Sequence, residues 1–71
     1  MPMTVTRPGM LGEDDLRLLA LLAQGLPLEA VARRLAVSER TLRRRIRAIC
    51  DQLDVPAAIT AVAWAAKRGL L

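Results

Sequence analysis

Only two residues, Ala36 and Val37, separate an amphipathic stretch ending at Leu35 from a serine suited to capping the next one. Upstream, Leu28, Val31, Ala32 and Leu35 recur at i, i+3, i+4 and i+7, which makes one buried stripe on a helix. Pro27, with its fixed φ, suits the first position of that helix. Downstream, Ser38 is a strong N-cap for a helix over 39–53. Two helices joined by so short a turn must cross steeply, and that is the helix-turn-helix arrangement.

The segment 39–53 carries two interleaved periodicities. Leu42, Ile46, Ile49, Cys50 and Leu53 fall on one side of a helix at about 100° per residue. Arg40, Arg43, Arg44 and Arg47 repeat at i, i+3, i+4 and i+7 well away from that side, and Arg45 projects along a flank. One face is built for burial and the other is a row of cations. Arg33 and Arg34 lie off the stripe of the preceding helix and read as a solvated face.

The remaining segments complete an all-α fold of four helices. Gly12 can cap a first helix, and Glu13, Asp14 and Asp15 place negative charge at the positive end of its dipole. Leu16, Leu18, Leu19, Leu21 and Leu22 follow, and Gly25 ends the helix. Asp54 marks a turn, because Asp tolerates the left-handed conformation. Pro56 opens a fourth helix to about Lys67, and Gly69 closes it. From Ala57 to Ala66 this helix is apolar nearly all round, although it can bury only one side in its own core. The other side needs a partner, which predicts an isologous dimer through Ile59, Ala61, Trp64 and Ala65. Residues 1–11 read as a flexible arm or linker stub, and 12–71 as the folded domain.

Composition narrows the function classes. Among 71 residues there is one cysteine and no histidine, so an internal disulfide is impossible and a zinc site implausible. No cofactor is implied. Cys50 reads as core filler, and a lone thiol suits a reducing, cytoplasmic compartment. The apolar runs 18–23 and 57–66 fall well short of the roughly 20 residues of a membrane span, and no signal peptide is recognisable. With no phosphate-cradling glycine loop, no histidine base and no carboxylate pair in a cleft, the chain does not read as an enzyme. Trp64 is the single aromatic residue, too few for stacking on single strands or RNA. The net charge of +4 fits an anionic partner, and its concentration on one helix points to double-stranded DNA.

The order and spacing of several pieces resemble the LuxR (GerE-type) DNA-binding domain from about Leu11 to Leu71. Leu18-Leu19-Ala20-Leu21-Leu22-Ala23-Gln24-Gly25-Leu26 resembles that family's first helix and exit. The run from Val31 to Leu42 resembles its second helix, turn and recognition-helix start. Leu53, Val55, Ala61 to Ala65 and Arg68 to Leu71 resemble its close. The resemblance implies a third helix in the major groove and a fourth that mediates dimerisation, at least on DNA. By position it implies base or adjacent phosphate contacts for Arg43, Arg44 and Arg47, and backbone contacts for Ser38 and Thr41. The family usually has Thr at Gly12, Glu at Asp15 and a polar run at Ala57-Ala58-Ile59, so this chain lacks side-chain caps found in its relatives.

The chemistry of arginine agrees. Its planar fork matches O6 and N7 of guanine, which is worth roughly 1–3 kcal/mol of discrimination. Arg44 and Arg47 are therefore expected on guanines, Arg43 on a base or a nearby phosphate, and Arg40 and Arg45 on phosphates. Two rival readings stay open. One is a sigma-factor region-four-like domain, with RNA polymerase as partner. The other is a protein-interaction module in which the apolar fourth helix binds a partner and the arginines pair with an acidic surface.

Overall fold

The computed structural model describes residues 11–71, which form four helices: α1 (Glu13–Ala23), α2 (Leu28–Leu35), α3 (Glu39–Leu53) and α4 (Ala58–Lys67). No strand occurs among the described residues. The expected flexible arm falls outside them, apart from Leu11. That residue packs against the core.

Helix starts follow local chemistry. The Ser38 hydroxyl accepts the Thr41 amide at 3.1 Å and fixes the first turn of α3. At α1 the cap is Gly12, which has no side chain to offer, but Asp15 Oδ2 accepts the Gly12 amide at 3.4 Å. Pro27 turns out to be the cap of α2 rather than its first helical residue. Its carbonyl accepts the amides of Ala30 and Val31, while its ψ of 156° keeps it extended. The start of α4 is later than Pro56 suggests. Ala57 is extended (φ −155°, ψ 162°), and only its carbonyl begins the ladder, accepting from Thr60 and Ala61.

Three helix ends share one closure. Ala36, Asp54 and Gly69 each follow their helix in the left-handed conformation, with φ of 58°, 57° and 70°. The next residue's amide then reaches back five positions: Val37 to Ala32, Val55 to Cys50, and Leu70 to Ala65, all at 3.0 Å. Val37 and Val55 then pack against the core. The chain therefore reverses sharply on either side of α3, and two of the three left-handed positions are held without glycine.

The core is aliphatic. Leu18, Leu19, Val31, Leu42 and Ile49 are essentially inaccessible to solvent. α1 packs on α2 and α4, and α3 packs on the same two helices. α4 contributes Ala61 and Ala65, both fully buried, and such small side chains let it lie close to its neighbours.

Candidate nucleic-acid interface

The buried stripe of α3 is Leu42, Ile49, Cys50 and Leu53, with Ile46 half-buried beside it. This fixes the direction in which every other residue of the helix faces. At about 100° per residue, Arg40, Arg44 and Asp51 point most directly away from the core. Arg43 and Arg47 stand on the flank toward the start of α4, where they line an open cleft with Asp51, Val55 and Ala58. Thr41, Arg45 and Ala48 stand on the opposite flank, and Arg45 and Ala48 line a second cleft with the first turn of α1.

All five arginines of α3 are exposed, as is Ser38, and Thr41 is half-buried. Arg43 Nη2 lies 3.4 Å from Glu39 Oε1 across one turn, an exposed pair. Such a pair orients the guanidinium without holding it strongly against a phosphate or a base. Arg40, Arg44, Arg45 and Arg47 make no ion pair among the described residues. Arg33 does, with Glu29 at 3.5 Å on the exposed side of α2, in keeping with a solvated face.

Asp51 interrupts the cationic face in the last third of α3, so positive charge is confined to the first nine residues of the helix. Another feature of this surface carried no signal in the sequence pattern. The acidic turn Glu13-Asp14-Asp15 faces Arg45 across a cleft. A sequence shows that the run is acidic and begins a helix, but not which distant cation it meets.

The expected dimer residues divide. Ala61 and Ala65 are 0% exposed inside the domain's own core, so neither has surface to offer a partner. Trp64 is half-buried against the core, and the Arg68 guanidinium lies over its ring with Cζ 4.0 Å from the centroid. Ile59 is 78% exposed. With Val62, Ala63 and Ala66 it forms a second apolar stripe at i, i+3, i+4 and i+7, in which Ala63 and Ala66 are exposed and Val62 is half-buried against the core. This stripe, rather than Ala61 and Ala65, is the apolar side of α4 open to a partner.

Cys50 is buried, and removal from water, reinforced by the neighbouring Asp51 carboxylate, raises its thiol pKa. It stays a neutral thiol in the core. No helix among the described residues is long and apolar enough to cross a membrane.

A short helix, a two-residue turn and an exposed cationic helix behind a serine cap define a helix-turn-helix domain, a class that points to DNA binding. The chain belongs to the Homeodomain-like domain family, whose model matches residues 16–57, more than half of its length. The match covers α1 from Leu16 through α3 and stops just short of α4. No curated protein matches the chain.

Proposed function

We propose that this chain is the sequence-reading domain of a transcriptional regulator of the LuxR type, binding double-stranded DNA with α3 in the major groove. One observation carries the reading: five arginines within the first nine residues of α3 are all exposed, while the opposite stripe of the same helix is core. An α-helix fits the major groove, and side chains near the start of the second helix of the motif reach base edges there.

Arg44 points straight away from the core and is assigned to a guanine, together with Arg47. Arg43, on the flank beside Arg47, takes a base edge or the adjacent phosphate. Arg40, Thr41 and Arg45 are directed at the backbone, and Ser38 holds the turn that aims them. The domain acts without a cofactor and without catalysis, in the cytoplasm. Support for the LuxR type comes from α4, which extends past the family match and packs on both α1 and α3. Its outer stripe, led by the exposed Ile59, Ala63 and Ala66, is the face through which two copies pair on DNA.

Selection of bound duplexes from a random pool tests the reading. It should return two symmetry-related half-sites about one helical turn apart, with guanines at fixed positions. Replacing Arg44 with Ala should then lower affinity for the selected duplex by roughly 1–3 kcal/mol more than for random sequence. Equal displacement of the protein from duplex by heparin and by any DNA would leave only generic charge attraction, and the proposal would fall to the protein-interaction reading.

A further inference from the structure

Of the exposed arginines on α3, only Arg43 makes an ion pair among the described residues. Its Nη2 donates to Glu39 Oε1 at 3.4 Å, and both side chains remain exposed. Arg47 has Asp51 at the same spacing yet forms no ion pair with it. Order along the chain separates the two cases. Side chains on a helix lean toward its N-terminus, so an arginine reaches a carboxylate one turn before it more readily than one turn after. Glu39 is the first residue of α3, and the first turn of such a helix is the end that enters the groove. The bond therefore holds the Arg43 guanidinium along the direction in which base edges lie.

We infer that Glu39 is a positioning residue that commits Arg43 to a base rather than to the adjacent phosphate, so that the pair reads sequence as one unit. The inference rests on the DNA-binding function proposed above and decides between the two contacts left open there for Arg43. A phosphate is held by net charge, and a carboxylate 3.4 Å from the guanidinium offsets the charge it would use. A guanine edge is neutral and asks instead for donors in the right plane. The bond to Glu39 uses one N–H of the guanidinium and leaves the rest of its fork for O6 and N7. At about 100° per residue, Glu39 stands on the flank away from Thr41 and Arg45, so its charge does not oppose the backbone contacts assigned to them. The same carboxylate favours the start of α3 through the helix dipole, but that role alone would leave base preference untouched.

The experiment substitutes each base pair of the selected duplex in turn and measures the affinity lost, for the unaltered protein and for variants. Arg43→Ala should abolish the loss at one base pair of each half-site, which identifies the pair it reads. Glu39→Gln should shrink the loss at that same base pair about fivefold, the scale of one exposed charge pair, and leave the other losses unchanged. On random duplex it should steepen the salt slope by about one unit, because the released guanidinium is open to a phosphate. Arg43→Lys still offers Glu39 a cation but has no planar fork, so it should lose the base preference as fully as Arg43→Ala. Both side chains are exposed, and none of these substitutions reaches the core. Retention of every base preference in Arg43→Ala would place that residue on a phosphate and overturn the inference. So would Glu39→Gln losses that stay unchanged, the mark of a charge that merely repels DNA, or that shrink at every position, the mark of a loosened helix start. Each of these outcomes leaves DNA binding intact. Failure of the unaltered protein to prefer any duplex would remove the functional reading itself, and this inference with it.

Discussion

The hydroxyl oxygen of Ser38 lies 3.1 Å from the Thr41 amide, whose hydrogen bond it accepts, and 3.1 Å from Thr41 Oγ1, to which it donates. Both hydrogen-bonding directions of the serine are engaged within its own turn. The hydroxyl proton of Thr41 stays available, on the same helix as the exposed arginines. The two residues therefore divide the work: Ser38 fixes where α3 begins, and Thr41 is the one able to donate to a phosphate.

This division predicts opposite phenotypes. Ser38→Ala removes the cap and should cost about 1 kcal/mol of stability. In a domain this small, that lowers the melting temperature by about 4–8 °C. Thr41→Val keeps the capped amide and should leave melting nearly unchanged while weakening duplex binding. Thermal denaturation and DNA titration of the two variants check this, and interchanged results would reverse the assignment.

Ala36 holds a left-handed conformation (φ 58°, ψ 40°) at the turn between α2 and α3. A Cβ there costs about 1–2 kcal/mol, against roughly 0.5–1 kcal/mol of extra backbone entropy for glycine. Ala36→Gly should therefore stabilise the domain by about 0.5–1 kcal/mol, and Ala36→Val should destabilise it, because a β-branched residue fits this region worse than alanine. Urea denaturation midpoints would show both, and a glycine variant less stable than the parent would mean the turn carries no strain.

The two stripes of α4 should respond differently to substitution. Ile59→Lys alters a side chain that is 78% exposed. It should shift stability by no more than about 0.5 kcal/mol while abolishing pairing of copies on DNA. Ala61→Leu forces bulk into a fully buried position and should cost about 1–3 kcal/mol through overpacking. Melting curves read alongside sedimentation of the DNA complex separate the two outcomes. Unchanged assembly of the Ile59→Lys protein would argue against the outer stripe as the dimer face.

Cys50 gives stability a dependence on alkaline pH. Burial, with Asp51 as the lesser contributor, raises the folded thiol pKa above its ordinary value. Below the ordinary value both folded and unfolded chains keep the proton, and nothing is lost. As pH rises through it, the unfolded chain releases its proton while the folded one retains it, so stability falls. Cys50→Ala should flatten this fall, and iodoacetamide should modify the native protein far more slowly than the denatured one. Equal alkylation rates would contradict the buried, protonated thiol.

Much of the architecture was written locally. The bounds of α3, its serine cap, the left-handed turn at Asp54 and the start of α1 at Glu13 follow from side chains acting on their own backbone within a few residues. The cationic face of α3 was legible for the same reason, since helical periodicity places Arg40, Arg43, Arg44 and Arg47 relative to Leu42 and Ile49 without reference to any other element. The start of α4 was less legible, because neither Ala57 nor Ala58 carries a capping group to announce it.

Two matters lay outside any local pattern. α4 has two apolar stripes, and its sequence is silent on which is internal. The close fit against α1 and α3 selected Ala61 and Ala65, whose small side chains let the helices approach, and left Ile59 in water. Nor could α3 alone reveal that Arg45 faces acids some thirty residues earlier in the chain. That meeting exists only because the shared core brings the start of α1 beside the middle of α3, and electrostatic neighbours are set by distance in space, not along the chain.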